Sequence, residues 1–474
     1  MNYQVRKIRN NSRLKGVKIE NDFTNGPIFR QMILFAIPLM FTNILQILFN
    51  TADVIVLGVF VGDDAVAAVG STGSLINLIT SLVIGLSMGV NVVASKHLGS
   101  HNEEGVQKII GMSILLSLIS GVVIALVGWF GAKTFLTLMD CDSEIIDLSA
   151  TYLKVYFLGV PLVILYNFLS AIMRAAGDSK RPFIYLLISG VVNVGLNVFF
   201  ILVLNMTVEG VAIATVVSQG LSSLLCIIQL VGAKGIVKLK AKFIKFYKAE
   251  FIEVVRIGLP AGVQSSLFSL SNVFIQSTIN KCGKLAMAGS SYAVQIEAYV
   301  YASLHSISMA LMTFVSQNFG AKKIDRIYKA ITSALIICIT ASLTLGTAGL
   351  LLVKPIIGSI AENQEVVDYA FKRATFVCLP YFLCGIMEVF SYTMRAIGRS
   401  VTSMIISLLG ACLLRIVWVV VMFSFFPSYT LIFVTYPVSW IITSVVLAAM
   451  LFPMLKKLRV KFESEVAVES TITE

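Results

Sequence analysis

At 474 residues, with 57% hydrophobic and only 13% charged side chains and a mean hydropathy of +0.89, the chain is too apolar for a water-soluble globule. Its apolar runs are continuous rather than alternating, which excludes a membrane β-barrel and leaves an all-α polytopic membrane protein. The net charge of +12 is spread over short loops, not gathered in one basic domain, so it reports membrane topology and argues against a nucleic-acid partner.

The first 31 residues are polar and basic and are expected to form a disordered cytoplasmic arm. Twelve apolar segments follow, near 34–60, 68–95, 107–131, 148–173, 183–205, 209–233, 254–279, 286–315, 328–353, 367–393, 402–425 and 430–453. Each is long enough to cross a ~30 Å hydrocarbon core as a helix. Lys and Arg crowd the arm, the tail and every second loop, which predicts cytoplasmic termini in a plasma or inner membrane. Residues 234–253 carry Lys238, Lys240, Lys242, Lys245 and Lys248 among Phe243, Phe246, Tyr247 and Phe251, and are expected to lie as an amphipathic helix on the anionic leaflet. The expected organisation is an arm (1–31), a first lobe with spans 1–6 (32–233), a basic linker (234–253), a second lobe with spans 7–12 (254–453) and a cytoplasmic tail (454–474).

The two halves repeat. Residues 87–99 align with 308–320, and Met173-Arg-Ala-Ala-Gly177 with Met394-Arg-Ala-Ile-Gly398, both at an offset of 221, while Pro38 aligns with Pro260. Six spans per half and a common starting side predict two six-helix bundles related by a pseudo-twofold along the membrane normal, with alternating access at the cleft between them.

Within span 1, Asn43, Gln46, Asn50 and Asp53 are spaced three, four and three apart and form one polar stripe on a helix. A carboxylate inside a membrane span is costly, and by default it marks function. Asp53 aligns with Ile275, Asn193 with Leu414 and Asn197 with Trp418, so this chemistry belongs to the first half alone. A rise of ~1.5 Å per residue puts Asp53, Asn193, Asn197 and Thr215 at similar depths. They are expected to form an oxygen-lined site for a proton or Na⁺, with Asp53 the metal ligand if the ion is Na⁺. Gln46, Asn50, Glu297, Glu388, Phe268 and Met309 are expected at the substrate cleft. Arg415, without a counterpart in the first half, is expected to pair with a carboxylate, and Lys154, Lys372 and Arg373 to snorkel to the interface. His97 and His101 read as a solvated loop edge rather than a metal pair. The cysteines lie mostly in apolar runs and form no CxxC, which argues against disulfides and zinc.

Several stretches together resemble the multidrug and toxic compound extrusion (MATE) family, in a branch near the DNA-damage-inducible exporters. They are Ala36-Ile-Pro38, Asn50-Thr-Ala-Asp-Val-Ile-Val-Leu-Gly58, the span 2 ending, Met173-Arg-Ala-Ala-Gly-Asp-Ser-Lys180, Asn193-Val-Gly-Leu-Asn197 and Gly210-Val-Ala-Ile-Ala-Thr215. The resemblance implies a secondary antiporter that exports drugs or toxic organic cations in exchange for inward H⁺ or Na⁺. In it Asp53 matches the coupling aspartate and Asn193 and Thr215 its neutral partners, while Asn197 stands where some relatives have a second aspartate. No nucleotide-binding loop, HExxH or GxSxG motif is present, so neither an enzyme nor a cofactor is expected, and the chain is expected to act as a monomer in the bilayer. The rival readings are a lipid or lipid-linked oligosaccharide flippase of the same superfamily, and a passive channel or sensor.

Overall fold

The computed structural model describes residues 22–473 except 234 and 362. Its helices are α1 (Ile28–Phe60), α2 (Asp63–Gly99), α3 (Glu103–Leu138), α4 (Ile146–Ala175), α5 (Lys180–Leu202), α6 (Val208–Gly232), α7 (Lys248–Asn280), α8 (Lys284–Gly320), α9 (Ile324–Gly358), the bent α10 (Gln364–Cys378 and Tyr381–Ala396), α11 (Ser400–Phe425) and α12 (Tyr429–Thr473). Ten are long and apolar enough to cross a membrane one by one, and the bent α10 makes an eleventh. Helix α7 is as long at 33 residues but carries Gln264, Ser265, Ser266, Asn272 and Gln276.

Most helices outrun their predicted spans, because an apolar window stops at polar first turns that are good helix starts. Asp63 and Asp64 open α2 and Glu103 and Glu104 open α3, where carboxylates complement the helix dipole; Asn102 caps α3 by accepting from the Gly105 amide at 2.9 Å. At Leu379–Pro380, α10 bends by 40°, since proline supplies no amide to continue the ladder. A π-helical stretch, Leu408–Leu413, interrupts α11. The predicted tail, as far as Thr473, continues α12 as helix.

The linker is not the expected amphipathic helix. Lys238, Lys240 and Lys242 alternate with apolar residues at a period of two, which suits an extended strip; before Lys248, where α7 begins, the helical part among the described residues is the 3₁₀ turn Ala241–Phe243. The strip is tied down by Gln107 Nε2, which donates to the Ile236 carbonyl, and by the Leu239 amide, which donates to Leu230 at 2.8 Å. Residues 1–21 of the predicted arm lie outside the described residues, but residues 22–27 are ordered by packing, contrary to the expectation. Phe23 is 1% exposed and stacks on Phe314 with ring centroids 3.9 Å apart.

Three apolar cores show how the bundles meet. The largest draws on both halves, including Phe35, Val90 and Leu98 from the first and Val254, Leu311 and Phe314 from the second. Two smaller ones each stay within one half: Val56, Leu57, Tyr152 and Val211 in the first, and Ala293, Val353, Ala370 and Cys378 in the second. The shared core runs from Phe23 and Leu98, at the face where α1 begins and α2, α8 and α12 end, here called the terminal face, to Leu136, Ile279 and Tyr429 near the opposite face. The separate cores lie toward the opposite face, where each packs within its own bundle.

The joint is made by close backbone approach. Gly85 of α2 lies against Gly262 and Gly258 of α7, and Gly99 against the Gln317 carbonyl, with no room for a β-carbon at either place. Polar bonds reinforce it. Thr313 donates to Asn91 Oδ1 at 3.1 Å, Gln317 Nε2 to the Ala175 carbonyl at 2.6 Å, Asn318 Nδ2 to the Phe23 carbonyl at 3.1 Å, and Lys96 pairs with Glu253 at 2.6 Å.

Candidate functional site

Asp53 lies about two and a half turns beyond the middle of α1, with its partners on α5 and α6. Asn193 and Asn197 are four apart and share one face of α5, and both are at most 5% exposed. Asn197 Nδ2 donates to Asp53 Oδ1 at 2.5 Å and to Asn193 Oδ1 at 3.4 Å. Asn193 Nδ2 donates to Thr215 Oγ1 at 3.4 Å, and the Thr215 hydroxyl donates to the Val211 carbonyl at 3.0 Å. The four residues named from sequence are therefore brought into one hydrogen-bonded chain.

The chemistry of this chain follows from its partners. Among the described residues no Lys, Arg or His forms an ion pair with Asp53, so its charge is met only by amide dipoles. Asn197 Oδ1 is buried without a hydrogen-bond partner, an oxygen left over beside the carboxylate. Carboxylate, amide and hydroxyl oxygens are the ligand types that hard cations prefer, and a carboxylate oxygen also takes a proton. No cluster of three His, Cys, Asp or Glu side chains occurs among the described residues.

The remaining candidates divide. Gln46 and Asn50 are on the exposed side of α1, whereas Asn43 turns inward and donates to Ser306 Oγ at 2.9 Å across the two bundles. Phe268, Glu297 and Glu388 line a cavity of about 620 Å³ in the second bundle, together with Tyr301, Arg373, Arg415, Tyr436 and Trp440. Met309 is packed against the shared core and does not line that cavity. Lys154 and Lys372 reach over the rings of Trp129 and Tyr369.

Two basic residues depart from expectation. Arg373 does not snorkel: it is 5% exposed and grips both oxygens of Glu297 with one edge of its guanidinium, Nε to Oε1 at 2.7 Å and Nη2 to Oε2 at 2.8 Å, while Nη1 donates to Ser290 at 2.5 Å. Position near a predicted span end misled, because α10 bends and carries Arg373 into the bundle. Arg415 has no carboxylate partner among the described residues; Nε donates to Ser439 at 2.8 Å and the cation lies over Tyr436 and Trp440, 4.4 and 5.5 Å from their centroids. Sequence reasoning also missed His305, which is 3.1 Å from the Tyr392 hydroxyl and 3.9 Å from Glu388 Oε1. Its position four residues after Tyr301, on the face of α8 that holds Glu297, was the available signal.

Two helical bundles built on one plan and packed about a shared core, with the membrane-embedded carboxylate of Asp53 unpaired by any base among the described residues, define a polytopic membrane carrier. The MatE family profile matches the chain twice, over residues 38–199 and 260–421, and the chain belongs to that family. The probable multidrug resistance protein YoeA of Bacillus subtilis is 29% identical over 392 residues, spanning 80% of this chain and 84% of that protein. The multidrug export protein MepA of Staphylococcus aureus is 22% identical, spanning 84% of this chain and 88% of its own. A solved outward-facing multidrug resistance MATE transporter superposes with a TM-score of 0.86 at 20% identity, covering 92% of this chain and 98% of its own. The chain is thus a multi-pass membrane transporter with the MATE fold, and not an enzyme.

Proposed function

We propose that this protein is a secondary multidrug exporter that moves cationic or amphipathic small molecules outward in exchange for inward H⁺ or Na⁺, by alternating access between its two bundles. The observation that carries this reading is Asp53, a membrane-embedded carboxylate answered only by neutral amides, in the first bundle. A carboxylate so held can exchange its occupant, whereas one gripped by arginine cannot without leaving a buried charge. Asp53, Asn193, Asn197 and Thr215 would form the coupling site, with Asp53 as metal ligand if the ion is Na⁺. Loading it would weaken the pull of Asp53 on Asn197 and repack α1 against α5 and α6, lowering drug affinity in the open state. A difference in affinity between the two states is what lets the ion drive the drug.

The terminal face would be cytoplasmic, given the excess of Lys and Arg there. The first lobe (32–233) and second lobe (254–453) would rock about their glycine-lined joint. Gln46, Asn50, Phe268, Glu297 and Glu388 would face the drug path. A flippase would favour a strongly cationic cleft, but Arg373 is neutralised by Glu297, which leaves Arg415 as the unpaired base in the cavity. The test is exchange by purified protein in proteoliposomes under imposed ΔpH or Na⁺ gradients. Wild type accumulates drug against a gradient and Asp53→Asn does not; undiminished coupled exchange in the variant overturns the mechanism, and no uphill movement in wild type overturns the exporter reading.

A further inference from the structure

The terminal face carries a further cavity of about 420 Å³, distinct from the one lined by Glu297 and Arg415. Its walls come from both halves. Val92 and Lys96 belong to α2 of the first, and the start of α7, the turn between α10 and α11 and the extension of α12 belong to the second. The apolar segments of the sequence end or begin at 95, 254, 402 and 453, each within three residues of a wall residue, so the cavity sits where lipid headgroups meet water.

Five cationic side chains line it, Lys96, Arg256, Arg399, Lys457 and Lys461, against one carboxylate, Glu253. Glu253 is taken by Lys96 at 2.6 Å, and Lys461 lies 3.8 Å from Glu465, which Lys322 holds more closely at 3.0 Å. Among the described residues Arg256, Arg399 and Lys457 form no ion pair. The fold gathers these charges instead of spreading them. Ser400 Oγ donates to the Ile257 carbonyl at 2.6 Å, which sets Arg399 and Arg256 on neighbouring backbones, and Lys457 and Lys461 are four apart on one face of α12. Like charges held this way repel one another, and an anion between them relieves the repulsion.

The repeat shows the same corner without the charge. At the offset of 221, Ser400 corresponds to Ser179, whose hydroxyl donates to the Phe35 carbonyl at 2.8 Å, as that of Ser400 does to Ile257. Arg399 corresponds to Asp178, which closes its own turn by accepting from the Arg181 amide at 3.0 Å and from Arg181 Nη1 at 3.2 Å. Arg256, four residues before Pro260, corresponds to Leu34, four before Pro38. The first half thus builds the corner with neither arginine, so the fold does not require them; the second half has both, on the wall of one cavity.

We infer that this cavity binds a phosphate-bearing anion, the headgroup of an anionic phospholipid or a soluble phosphate compound, held by Arg256 and Arg399 with Lys457 adding charge. A guanidinium fork meets phosphate oxygens two at a time, and a lysine acts on them as a point charge. Helix α11 begins at Ser400, so the positive end of its dipole lies at the same rim. Val92, Ile257, Met454 and Leu458 add apolar wall suited to the glycerol end of a lipid. An occupant that touches α2 and α11 together favours the conformation in which this face is joined; that use rests on the exporter reading, whereas the binding does not.

The readout is the melting temperature of the purified full chain at constant ionic strength, because a ligand of the folded form raises it. Sodium pyrophosphate, added to protein in detergent with sodium chloride as the matched control, probes the soluble source. Nanodiscs of phosphatidylglycerol against nanodiscs of phosphatidylcholine probe the lipid source. Wild type is expected to melt about 2–4 °C higher with at least one of the two. A response to pyrophosphate alone assigns a soluble anion, to phosphatidylglycerol alone a lipid headgroup, and to both a site that reads the phosphate itself. Arg256→Gln combined with Arg399→Gln, both at exposed positions, is expected to abolish the rise. Lys242→Gln combined with Lys245→Gln, which removes the same charge from the exposed linker, is expected to retain it. No rise in wild type with either probe overturns the inference without any variant having to fold. A rise that survives in the arginine variant, or one lost equally in the lysine variant, also overturns it. Transport enters none of these outcomes, so they stand apart from the proteoliposome test of the exporter reading.

Discussion

The two bundles are built on one plan yet treat Asp53 and Glu297 in opposite ways. In the first, Asp53 is met by Asn197 at 2.5 Å and, among the described residues, by no base; in the second, Glu297 is held by Arg373 through two bonds. An amide can reorient when a carboxylate gains a proton or a metal ion, whereas a guanidinium cannot lose its charge. The contrast separates a site whose occupant can change from a strut whose geometry is fixed.

The contrast breaks most decisively at Asp53. Asp53→Asn is expected to reduce ion-coupled exchange in proteoliposomes to the level of empty vesicles while leaving the melting temperature near that of wild type. The reverse pattern is expected of Glu297→Gln, which strands Arg373 in the bundle and costs about 3–5 kcal/mol of stability, read as a lowered melting temperature in detergent. If Glu297→Gln instead melts like wild type but loses exchange, the strut reading is wrong. A smaller effect is expected at the joint between the bundles: Gly85→Val forces α2 away from α7 and lengthens the spin-label distance between Ser100 and Ala321 on the terminal face. An unchanged distance would show that the glycine contact does not set the closure.

The smallest effect concerns Asp22, outside the membrane spans. Burial raises its pKa, but the hydroxyl and amide of Thr24 and the Asn25 side chain outweigh this and hold the carboxyl below the usual carboxylate range. A depressed carboxylate contributes stability that is present above the unfolded value and lost as pH falls through the folded one. The stability difference between wild type and Asp22→Asn is therefore expected to shrink on acidification from pH 6 to below pH 4, in melts of the two proteins side by side. A difference that stays constant would remove Asp22 from the turn that seats Phe23.

Much of this was legible in the sequence, and the misses have physical causes. Hydropathy found the membrane helices, and the constant offset found the pairing of the halves. The polar spacing on α1 together with Asn193, Asn197 and Thr215 found a cluster that folding does bring together. What spacing cannot show is a change of direction. The bend at Pro380 turned Arg373 from a predicted interface residue into a buried partner of Glu297. His305 escaped notice because its neighbours Glu388 and Tyr392 come from another helix, 83 and 87 residues away. The linker misled because its charge pattern was read for composition rather than period.

Helix α12 runs 45 residues without a break, so its last ~20 residues project about 30 Å past its predicted membrane span. Phe462 packs on Phe319 and Arg459 pairs with Asp325, both partners belonging to the second half. That extension is a lever rigidly mounted on one bundle. A rotation of about 15°, within the range that domains make, sweeps its end through about 8 Å. Motion buried in the bilayer is thereby displayed as displacement in water, where a label, an antibody fragment or another protein can read it or arrest it.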